Sequence, residues 1–467
     1  MYRSKNTVQI LCVLALMSCG REKPSTQNPF QEGVNLANPT MLPLIDGSCQ
    51  EGISDFSSLD YSYWDGAEIQ RDSFQQHWSS ANGIQSQLVN RVLFGYQEIY
   101  SVKDRCRFMS NISDLLAPHC LLGSRITSQP KTLKICSKKS YPRESLESAA
   151  LSTTGAFDKI QSYIDKLSTK LKLDPTTIMM VPDIQIDKGE SGENLSLTDN
   201  AAWVLSKKFE GIPTYIVVYP PSEGYKSSGR SPFWEVPWIV SHEYGHHIFY
   251  SLLPENVRHE YGYLKDWRKN QSLHDSWFVA QAQASQSSQL LMTAANEAIA
   301  DLFAHYVNKG NSDQITSLSC VFDQRDISTD FLNDGHPKSF LHEPNTLSQD
   351  FCNFVDFSDV HTLGSILSYF VDRYLELGAF DSEIEKGDKV FQLTDLFLKK
   401  ISIGIESQET KSIIEYYVSA TVEALSLFPG KPNQEQCQLI DAVFGDIFTS
   451  PQTMSEVVTE QCAIGPL

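Results

Sequence analysis

The sequence predicts an α+β fold on the pattern of its central and C-terminal parts. Ala156 to Leu173 is an amphipathic helical stretch that ends at a proline, which cannot continue a helix. Three short β-like runs and a helix opened by a proline follow it: Thr177 to Val181, Ala201 to Leu205, Thr214 to Tyr219 and Pro237 to Leu253. From about Glu255 the periodicity is mostly helical. We therefore expect a small mixed sheet, a helix against it and a mostly helical C-terminal subdomain.

Composition excludes several classes of protein. The chain has 467 residues, of which 41% are hydrophobic and 20% charged, so it can bury a sizeable core and is neither disordered nor collagen-like. Its 57 Asp and Glu outnumber its 38 Lys and Arg, which gives a formal net charge of −19. A surface of that sign repels phosphate backbones, so no nucleic-acid partner is expected.

The N-terminus has the pattern of an export signal. Arg3 and Lys5 precede an apolar run from Val8 to Met17 that is too short to cross a bilayer. The run ends in Leu16-Met17-Ser18-Cys19, which resembles the lipobox of bacterial lipoproteins, where cleavage precedes a cysteine that is then acylated. The alternative is an ordinary signal peptide with a chance cysteine.

The lipobox resemblance implies a signal peptide at 1–18, lipidation of Cys19 and membrane attachment through that lipid. A second mature residue other than Asp, here Gly20, is typical of outer-membrane lipoproteins in double-membraned bacteria. The expected location is therefore the bacterial cell envelope, as an exported lipoprotein of the outer membrane.

The rest of the chain divides by composition. Residues 19–44 are rich in Pro, Asn, Gln and Thr, as a flexible tether would be. Residues 45–147 contain a helical pattern over Ile84 to Met109, and both a removable pro-segment and a permanent domain remain open for them. Residues 148–254 should form the upper subdomain and 255–467 the helical lower one. Four segments of the latter have strong helical periodicity: Leu290 to Asn308, Leu363 to Leu377, Lys389 to Ile403 and Ser412 to Leu427.

The cysteines indicate disulfides. The chain has ten, and removing Cys12 in the signal and Cys19 leaves an even number, which in an exported protein predicts up to four bridges. Proximity in sequence favours Cys437 with Cys462 and Cys320 with Cys352. The competing interpretation is a zinc cluster, which the absence of any Cys-x-x-Cys pair disfavours.

The helix after the last β run contains a metal-binding pattern. His242 and His246 are four residues apart, so both imidazoles project from one helical face and can share a zinc ion. Glu243 beside them can act as a general base on a water molecule, as such strings do in metallopeptidases. The alternative is an incidental histidine pair on an exposed helix.

A second motif, Asn296-Glu297-Ala298-Ile299-Ala300-Asp301, lies in the first of the four helical segments. Glu297 and Asp301 are one turn apart, so one can bind the metal while the other accepts the ring N–H of a histidine ligand. Three protein ligands leave the open position that a catalytic zinc requires. A solvated acidic helix face is the alternative, but the alanines around the carboxylates favour close helix packing.

The pairing of these motifs resembles the gluzincin metallopeptidases, specifically the thermolysin-like group. The resemblance implies a zincin fold in which His242, His246 and Glu297 bind one Zn²⁺ per chain. It makes Glu243 the catalytic base and gives Asp301 the task of orienting a ligand histidine, His242 being the expected one. The connection between His246 and Glu297 is longer than is usual in the family, so Pro254 to about Ser288 forms an insertion.

A third segment, Asp359-Val360-His361-Thr362-Leu363-Gly364-Ser365-Ile366-Leu367, supports the resemblance. In the family the corresponding histidine lies on the far wall of the cleft and hydrogen-bonds the oxyanion of the tetrahedral intermediate, which makes His361 a catalytic residue. Either Asp356 or Asp359 could fix the tautomer of His361. A purely structural histidine near a helix start is the alternative.

Two weaker candidates complete the set. His247 points about 100° around the helix from His246, so it should be a packed residue or a support to a ligand rather than a fourth ligand. Acidic residues between Asp187 and Asp199 could bind Ca²⁺, as members of the family often do, but they lack an EF-hand pattern, and a solvated loop is the simpler interpretation.

Together these motifs predict an exported, lipid-anchored, zinc-dependent endopeptidase that hydrolyses peptide or protein substrates through a metal-activated water. Thr214 to Tyr219 would be the edge strand that pairs with an extended substrate, as in zincins generally. Two alternatives stay open. One is a catalytically inactive zincin-fold binding or assembly lipoprotein, and the other is a zinc hydrolase that acts on a different bond.

Overall fold

The computed structural model describes the chain in segments separated by gaps. These are residues 45–46, 60–73, 89–108, 115, 120–128, 133–134, 141–169, 173, 176–180, 182–189, 194–209, 212–228, 230–253, 284–311, 314, 360–380, 382–407, 420–421, 432–444 and 462. Within them the fold combines helices with small sheets, as an α+β protein should. Predictions for the signal, the tether, Cys19 and the helix over Ser412 to Leu427 lie mainly or wholly outside the described residues.

Twelve strands and seven α-helices are described. The strands are β1 Ile45–Asp46, β2 Asp60–Trp64, β3 Ile69–Ser73, β4 Val89–Phe94, β5 Gln97–Val102, β6 Leu121–Ser128, β7 Leu133–Lys134, β8 Thr176–Met180, β9 Asp183–Asp187, β10 Leu195–Ser196, β11 Ala201–Phe209 and β12 Ile212–Val218. The helices are α1 Leu146–Ile164, α2 Glu223–Ser227, α3 Pro237–Leu252, α4 Ala284–Val307, α5 Val360–Leu377, α6 Glu383–Ser407 and α7 Gln434–Phe444.

The chain forms two compact units. One contains Met1–Ser162 and Asp174–His247, and the other contains Tyr163–Leu173 and Ile248–Leu467. The described strands all belong to the first unit, whereas the described parts of the second are helical apart from turns. Helices α1 and α3 contribute residues to both units.

The first four-stranded sheet has the order β11-β12-β8-β4. Strands β12, β8 and β4 run parallel, and β11 is antiparallel to β12, with Trp203 opposite Ile216. All three predicted β runs of the central region are present in it, with small shifts at their ends. The prediction that Thr214 to Tyr219 forms the edge is wrong, because β12 pairs on both sides, and β11 is the terminal strand of the described sheet.

The second four-stranded sheet has the order β10-β9-β5-β6 and covers a core of its own. Its buried apolar residues include Val102, Ile184 and Ile186. The Cys106–Cys120 disulfide lies in the same cluster and joins the ends of the segment between β5 and β6. A bridge buried among apolar side chains restrains the unfolded chain while it adds to the core.

The predicted helix over Ile84 to Met109 is wrong, because this segment forms β4 and β5. Gly95, with φ of +59°, supplies the left-handed conformation between the two strands, a position that strongly favours glycine. Val89, Val92 and Ile99 are β-branched residues that fit strand positions, and short apolar runs do not distinguish a buried strand from a helix by periodicity alone.

Strands from both sides of residue 147 share these two sheets. Strand β4 pairs in parallel with β8, and β5 pairs in parallel with β9. The hairpin of β2 and β3 also packs on α1, where a Cβ atom on Gly155 would overlap the buried ring of Tyr61. Cleavage and loss of residues 45–147 would therefore remove one strand from each pairing and expose the neighbouring strands.

Helix α1 begins and ends earlier than its predicted span of Ala156 to Leu173. It starts after Ser145, whose hydroxyl accepts a hydrogen bond from the Ser148 N–H at 3.1 Å, as an N-cap does. Beyond Ile164 the chain leaves the helix and the backbone N–H groups of Ser168 and Thr169 donate to a carboxylate of α6 instead. Tertiary hydrogen bonds thus outweigh helical periodicity in the last turns.

In the second unit, α4, α5 and α6 confirm three of the four predicted helical segments, with longer ends. A buried polar group joins them: Lys386 Nζ and the Tyr306 hydroxyl both donate to Oδ1 of Asp372, at 3.0 and 2.9 Å. Because both donors complete the hydrogen bonding of a buried carboxylate, this group fixes the three helices against one another.

The described cysteines form two disulfides. Cys437 and Cys462 are bonded, which confirms that predicted pair, and Cys106 with Cys120 is a pair that sequence proximity had not selected. Cys320 and Cys352 lie outside the described residues. No helix in the described ranges is both long enough and apolar enough to cross a membrane.

Asp388 of α6 gives a prediction about stability. Its carboxylate accepts hydrogen bonds from Ser168 N, Ser168 Oγ and Thr169 N at 3.1, 2.8 and 2.8 Å. Burial alone would raise the pKa of Asp388, but these bonds outweigh it and hold the pKa below its ordinary value. The stabilisation is therefore complete above the unfolded-state pKa of about 3.9 and is lost as pH falls through the lower folded-state pKa.

We expect Asp388→Asn to lower the free energy of unfolding by roughly 1–2 kcal/mol at pH 7, because the hydrogen bonds to a charged acceptor are weakened. Urea unfolding at pH 7 and pH 3 measures this, and the difference from wild type should shrink at pH 3. The control is Asp395→Asn on the same helix, whose half-exposed pair with Lys399 contributes at most about 0.5 kcal/mol. An equal loss at both pH values would contradict the prediction.

Candidate metal centre

Helix α3 positions the two histidines of the metal-binding pattern. Pro237 occupies the first position of this 16-residue helix, where the missing N–H costs nothing. His242 and His246 are both buried, and their ring centroids lie 4.5 Å apart with the rings nearly perpendicular. One turn of helix thus places two imidazoles close enough to share a metal ion.

Glu297 of α4 completes the group. One ligand atom from each of His242, His246 and Glu297 lies within 4.8 Å of the other two, and all three side chains are buried. Two imidazole nitrogens and a carboxylate oxygen form a donor set that zinc binds in proteins. The structure therefore brings together the three residues selected from the sequence, and this buried group could hold a metal ion.

Aromatic rings pack on both histidines. The indole of Trp238 stacks on His242, with centroids 5.4 Å apart and planes within 8° of parallel. Trp203 of β11 lies against His246 at 6.4 Å in a tilted arrangement. These contacts restrict how far each imidazole can rotate, so both rings are held in place by their neighbours.

Glu243 is held by the backbone of the outer strand. The N–H of Trp203 donates to Oε2 of Glu243 at 2.6 Å. This short hydrogen bond fixes one oxygen of the Glu243 carboxylate against the outer strand. Sequence reasoning predicted the strand but missed Trp203, because no pattern shows which N–H groups of a strand face a helix.

Tyr219, just after β12, is a second residue that sequence reasoning missed. Burial, and then the nearby carboxylates of Glu98 and Glu243, raise the pKa of the Tyr219 hydroxyl well above its ordinary value. A phenol is already protonated at neutral pH, so this shift only reinforces a neutral hydroxyl in the electrostatic surroundings of Glu243. Nothing in the sequence near Tyr219 suggested this.

His361 lies at the start of α5, as predicted. Its Nε2 is 3.4 Å from Oε2 of Glu297, and the side chain is only 12% exposed. Asp356 and Asp359, the residues expected to fix its tautomer, lie outside the described residues. The contact with Glu297 was not part of the predicted role, which concerned an oxyanion.

Asp301 and His247 are both buried beside the group. Asp301 lies one turn beyond Glu297 on α4 and is fully buried, while its contact with His242 stays a prediction. His247 lies 3.3 Å from the Thr214 hydroxyl through Nδ1, so it packs against the sheet and is outside the group of three. This agrees with the prediction that the His247 side chain points about 100° around the helix from that of His246.

An ion pair between the buried Glu235 and the half-exposed Arg143 fixes the turn that leads into α3. Arg143 donates from Nε and Nη2 to Oε2 of Glu235 at 2.9 and 2.6 Å, and Trp234 Nε1 donates to the Arg143 carbonyl oxygen at 3.2 Å. Burial raises the pKa of Glu235 above its ordinary value even though the guanidinium opposes the shift. Removing Arg143 would therefore leave a buried carboxylate without its cation just before the start of α3.

The acidic residues between Asp187 and Asp199 do not form a calcium site in the part that is described. Asp187 accepts the Gly189 N–H and Asp199 accepts the Ser222 N–H, each at 2.7 Å, so both carboxylates stabilise turns. Glu190 and Glu193 lie outside the described residues. Within the described ranges, one group of at least three His, Cys, Asp or Glu side chains could hold a metal ion. It consists of His242, His246 and Glu297.

Comparisons with family models, with curated proteins and with solved structures find no match to this chain. Its site is characterised by its own residues alone. These are two histidines and a glutamate that could hold a metal ion, and beside them a second glutamate that accepts a backbone hydrogen bond.

Proposed function

We propose that the protein is a zinc-dependent endopeptidase of the gluzincin type, similar to the thermolysin-like group. The observation that carries the proposal is the buried group of His242, His246 and Glu297, with Glu243 on the same helix as the two histidines. Two motifs far apart in sequence predicted these residues, and their proximity supports the interpretation that they act together.

The donor set fits zinc better than calcium or magnesium. Calcium and magnesium prefer oxygen ligands, whereas imidazole nitrogens suit zinc and other transition metals. Three protein ligands are also the number that catalytic zinc sites use, since a fourth position must stay open. When bound, zinc supplies Lewis acidity and lowers the pKa of a water molecule to about 7.

The residues of the chain then act on water and substrate. Glu243 takes the proton of the attacking water and returns it to the leaving amine, while the Trp203 N–H holds its carboxylate in place. His361 stabilises the oxyanion of the tetrahedral intermediate, as the resemblance implies. Asp301 accepts the free ring N–H of His242 and so orients that ligand.

The outer strand β11 is suited to hold an extended peptide. It is the terminal strand of the described sheet, and its Trp203 N–H points away from β12 toward Glu243. A peptide that pairs with such an edge places its backbone next to the general base. This assigns to β11 the role first predicted for Thr214 to Tyr219.

We also propose that the protein is exported and lipid-anchored at Cys19, with the outer membrane as its location. The lipobox resemblance supports this, and so do two disulfides, which form and persist in oxidising compartments. Metabolic labelling with a radioactive fatty acid should label the protein, and Cys19→Ala should abolish the label. Labelling of Cys19→Ala would contradict the anchor.

A mixed peptide library tests the activity. We expect the purified protein to cleave it at internal bonds, to stop after zinc is removed with 1,10-phenanthroline and to resume when zinc is returned. A zinc-loaded protein that cleaves no peptide would favour the inactive binding lipoprotein, and cleavage of esters but not peptides would favour a hydrolase of another bond. Either outcome would contradict the proposed peptidase.

A further inference from the structure

Helix α5 brings two of its residues against Glu297. His361 and Gly364 are three residues apart, so they lie on one face of the helix. We propose that this face positions Glu297 for metal binding: Gly364 fixes where the backbone of Glu297 lies, and His361 holds its carboxylate. The proposal rests on the proposed function, and it gives His361 a task besides its contact with an oxyanion.

Gly364 lets α5 approach α4 at Glu297 itself. A Cβ atom on residue 364 would lie 2.7 Å from Cβ of Glu297, 3.0 Å from the carbonyl oxygen of Ala294 and 3.2 Å from the backbone nitrogen of Ala298. Two of these three atoms belong to the backbone of α4, so they cannot turn aside as the end of a flexible side chain would. A side chain at 364 must therefore push the helices apart and move Cβ of Glu297.

The neighbours on α4 are also small. Ala294 and Ala298 are fully buried and flank Glu297 one turn before and one residue after it. Among the described pairs of elements, α4 and α5 have the most extensive packing. Close packing transmits a displacement instead of absorbing it, so the position of Glu297 depends on Gly364.

His361 acts at the other end of the glutamate side chain. Its Nε2 lies 3.4 Å from Oε2, slightly beyond the usual range of an N–H···O hydrogen bond, so a small movement of either side chain forms one. The Glu297 side chain is fully buried and has several rotatable bonds, so restraint of both ends lowers the entropy lost when it binds a metal. Mutation of a residue that holds a metal ligand in this way typically lowers the metal affinity about 10–100-fold.

His361 is itself fixed by its helix. The Ser365 hydroxyl donates to the carbonyl oxygen of His361 at 2.9 Å within the first turn of α5. Ser365 is fully buried, so its hydroxyl is held against the turn. His361 and Gly364 thus form one face whose contacts converge on Glu297, and Ser365 supports the first turn of the helix that carries them.

The test compares zinc dissociation constants, measured by competition with a chromophoric chelator, for wild type, Gly364→Ala, His361→Ala and His361→Gln. We expect Gly364→Ala and His361→Ala to weaken zinc binding by about 10–100-fold. His361→Gln should recover most of the loss, because its amide can donate to the carboxylate. The matched control is Gly155→Ala, whose new Cβ would overlap Tyr61 in a different helix contact. It should destabilise the zinc-free protein without changing its zinc affinity.

The outcomes separate this proposal from the proposed function. Wild-type protein that binds no zinc would overturn both. If wild type binds zinc, a His361→Ala protein with unchanged zinc affinity overturns the positioning role alone, whatever its rate of hydrolysis and whether or not Gly364→Ala folds. A folded Gly364→Ala protein with unchanged zinc affinity would also overturn the positioning role of this helix face.

Discussion

Replacing Glu243 by glutamine should lower the rate of peptide hydrolysis by about 10²–10⁴-fold and leave zinc binding intact. Glutamine has the shape of glutamate and can still accept the Trp203 N–H through its carbonyl oxygen, so the local structure should be retained. It cannot accept a proton from water at neutral pH. The rate falls because the base is lost, while His242, His246 and Glu297 are unchanged.

The measurement is kcat/KM on one peptide from the library, together with zinc content. The matched control is Glu223→Gln, an exposed glutamate of the same unit that pairs with Lys226 and should keep wild-type activity. A Glu243→Gln enzyme that retains more than about one tenth of the wild-type rate would contradict the role of general base. The reason is that general acid–base catalysis typically accelerates a reaction by about 10²–10⁴-fold. Loss of zinc together with activity would contradict the claim that Glu243 is not a ligand.

Replacing Glu297 by glutamine should abolish stable zinc binding and, with it, hydrolysis. The carboxylate is the only anionic member of the group, and an amide is a poor ligand for zinc. The loss should exceed the roughly 10–100-fold that follows when a residue supporting a ligand is removed. The zinc-free variant should remain folded, because a neutral amide costs less to bury than a carboxylate.

Thermal unfolding with and without zinc measures this effect. Zinc should raise the Tm of wild type, since a ligand that binds only the folded state stabilises it, and should leave the Tm of Glu297→Gln unchanged. Glu376→Gln is the control, because this half-exposed glutamate of α5 pairs with Arg373 and Lys386 away from the metal group. An equal zinc-induced rise in Glu297→Gln would show that the metal binds elsewhere.

The helices were the part of the fold most open to prediction. Long stretches such as Pro237–Leu252 and Val360–Leu377 carry several turns of periodicity, and the first also opens with a proline, so local sequence specifies most of their length. The segment from Ile84 to Met109 was predicted wrongly, because its short apolar runs fit either secondary structure. The strand state is selected there by pairing with β8 and β9, which lie some 80 residues away in sequence.

The candidate metal group was predictable because each half is a local motif. His242 with His246 follows from helical spacing, and Glu297 could be joined to them through a known pairing of motifs. Residues that act through tertiary contacts gave no such signal. The Trp203 N–H reaches Glu243 only because β11 lies beside α3, and Gly364 matters only because α5 touches Glu297 there.

The zinc content of the purified protein tests the central claim most directly. Inductively coupled plasma mass spectrometry should find one zinc ion per chain in wild type, as a three-ligand catalytic site requires, and almost none in His242→Ala/His246→Ala. Wild-type protein without zinc after purification in zinc-containing buffer, or a double variant that keeps its zinc, would contradict the assignment of this group as the metal centre.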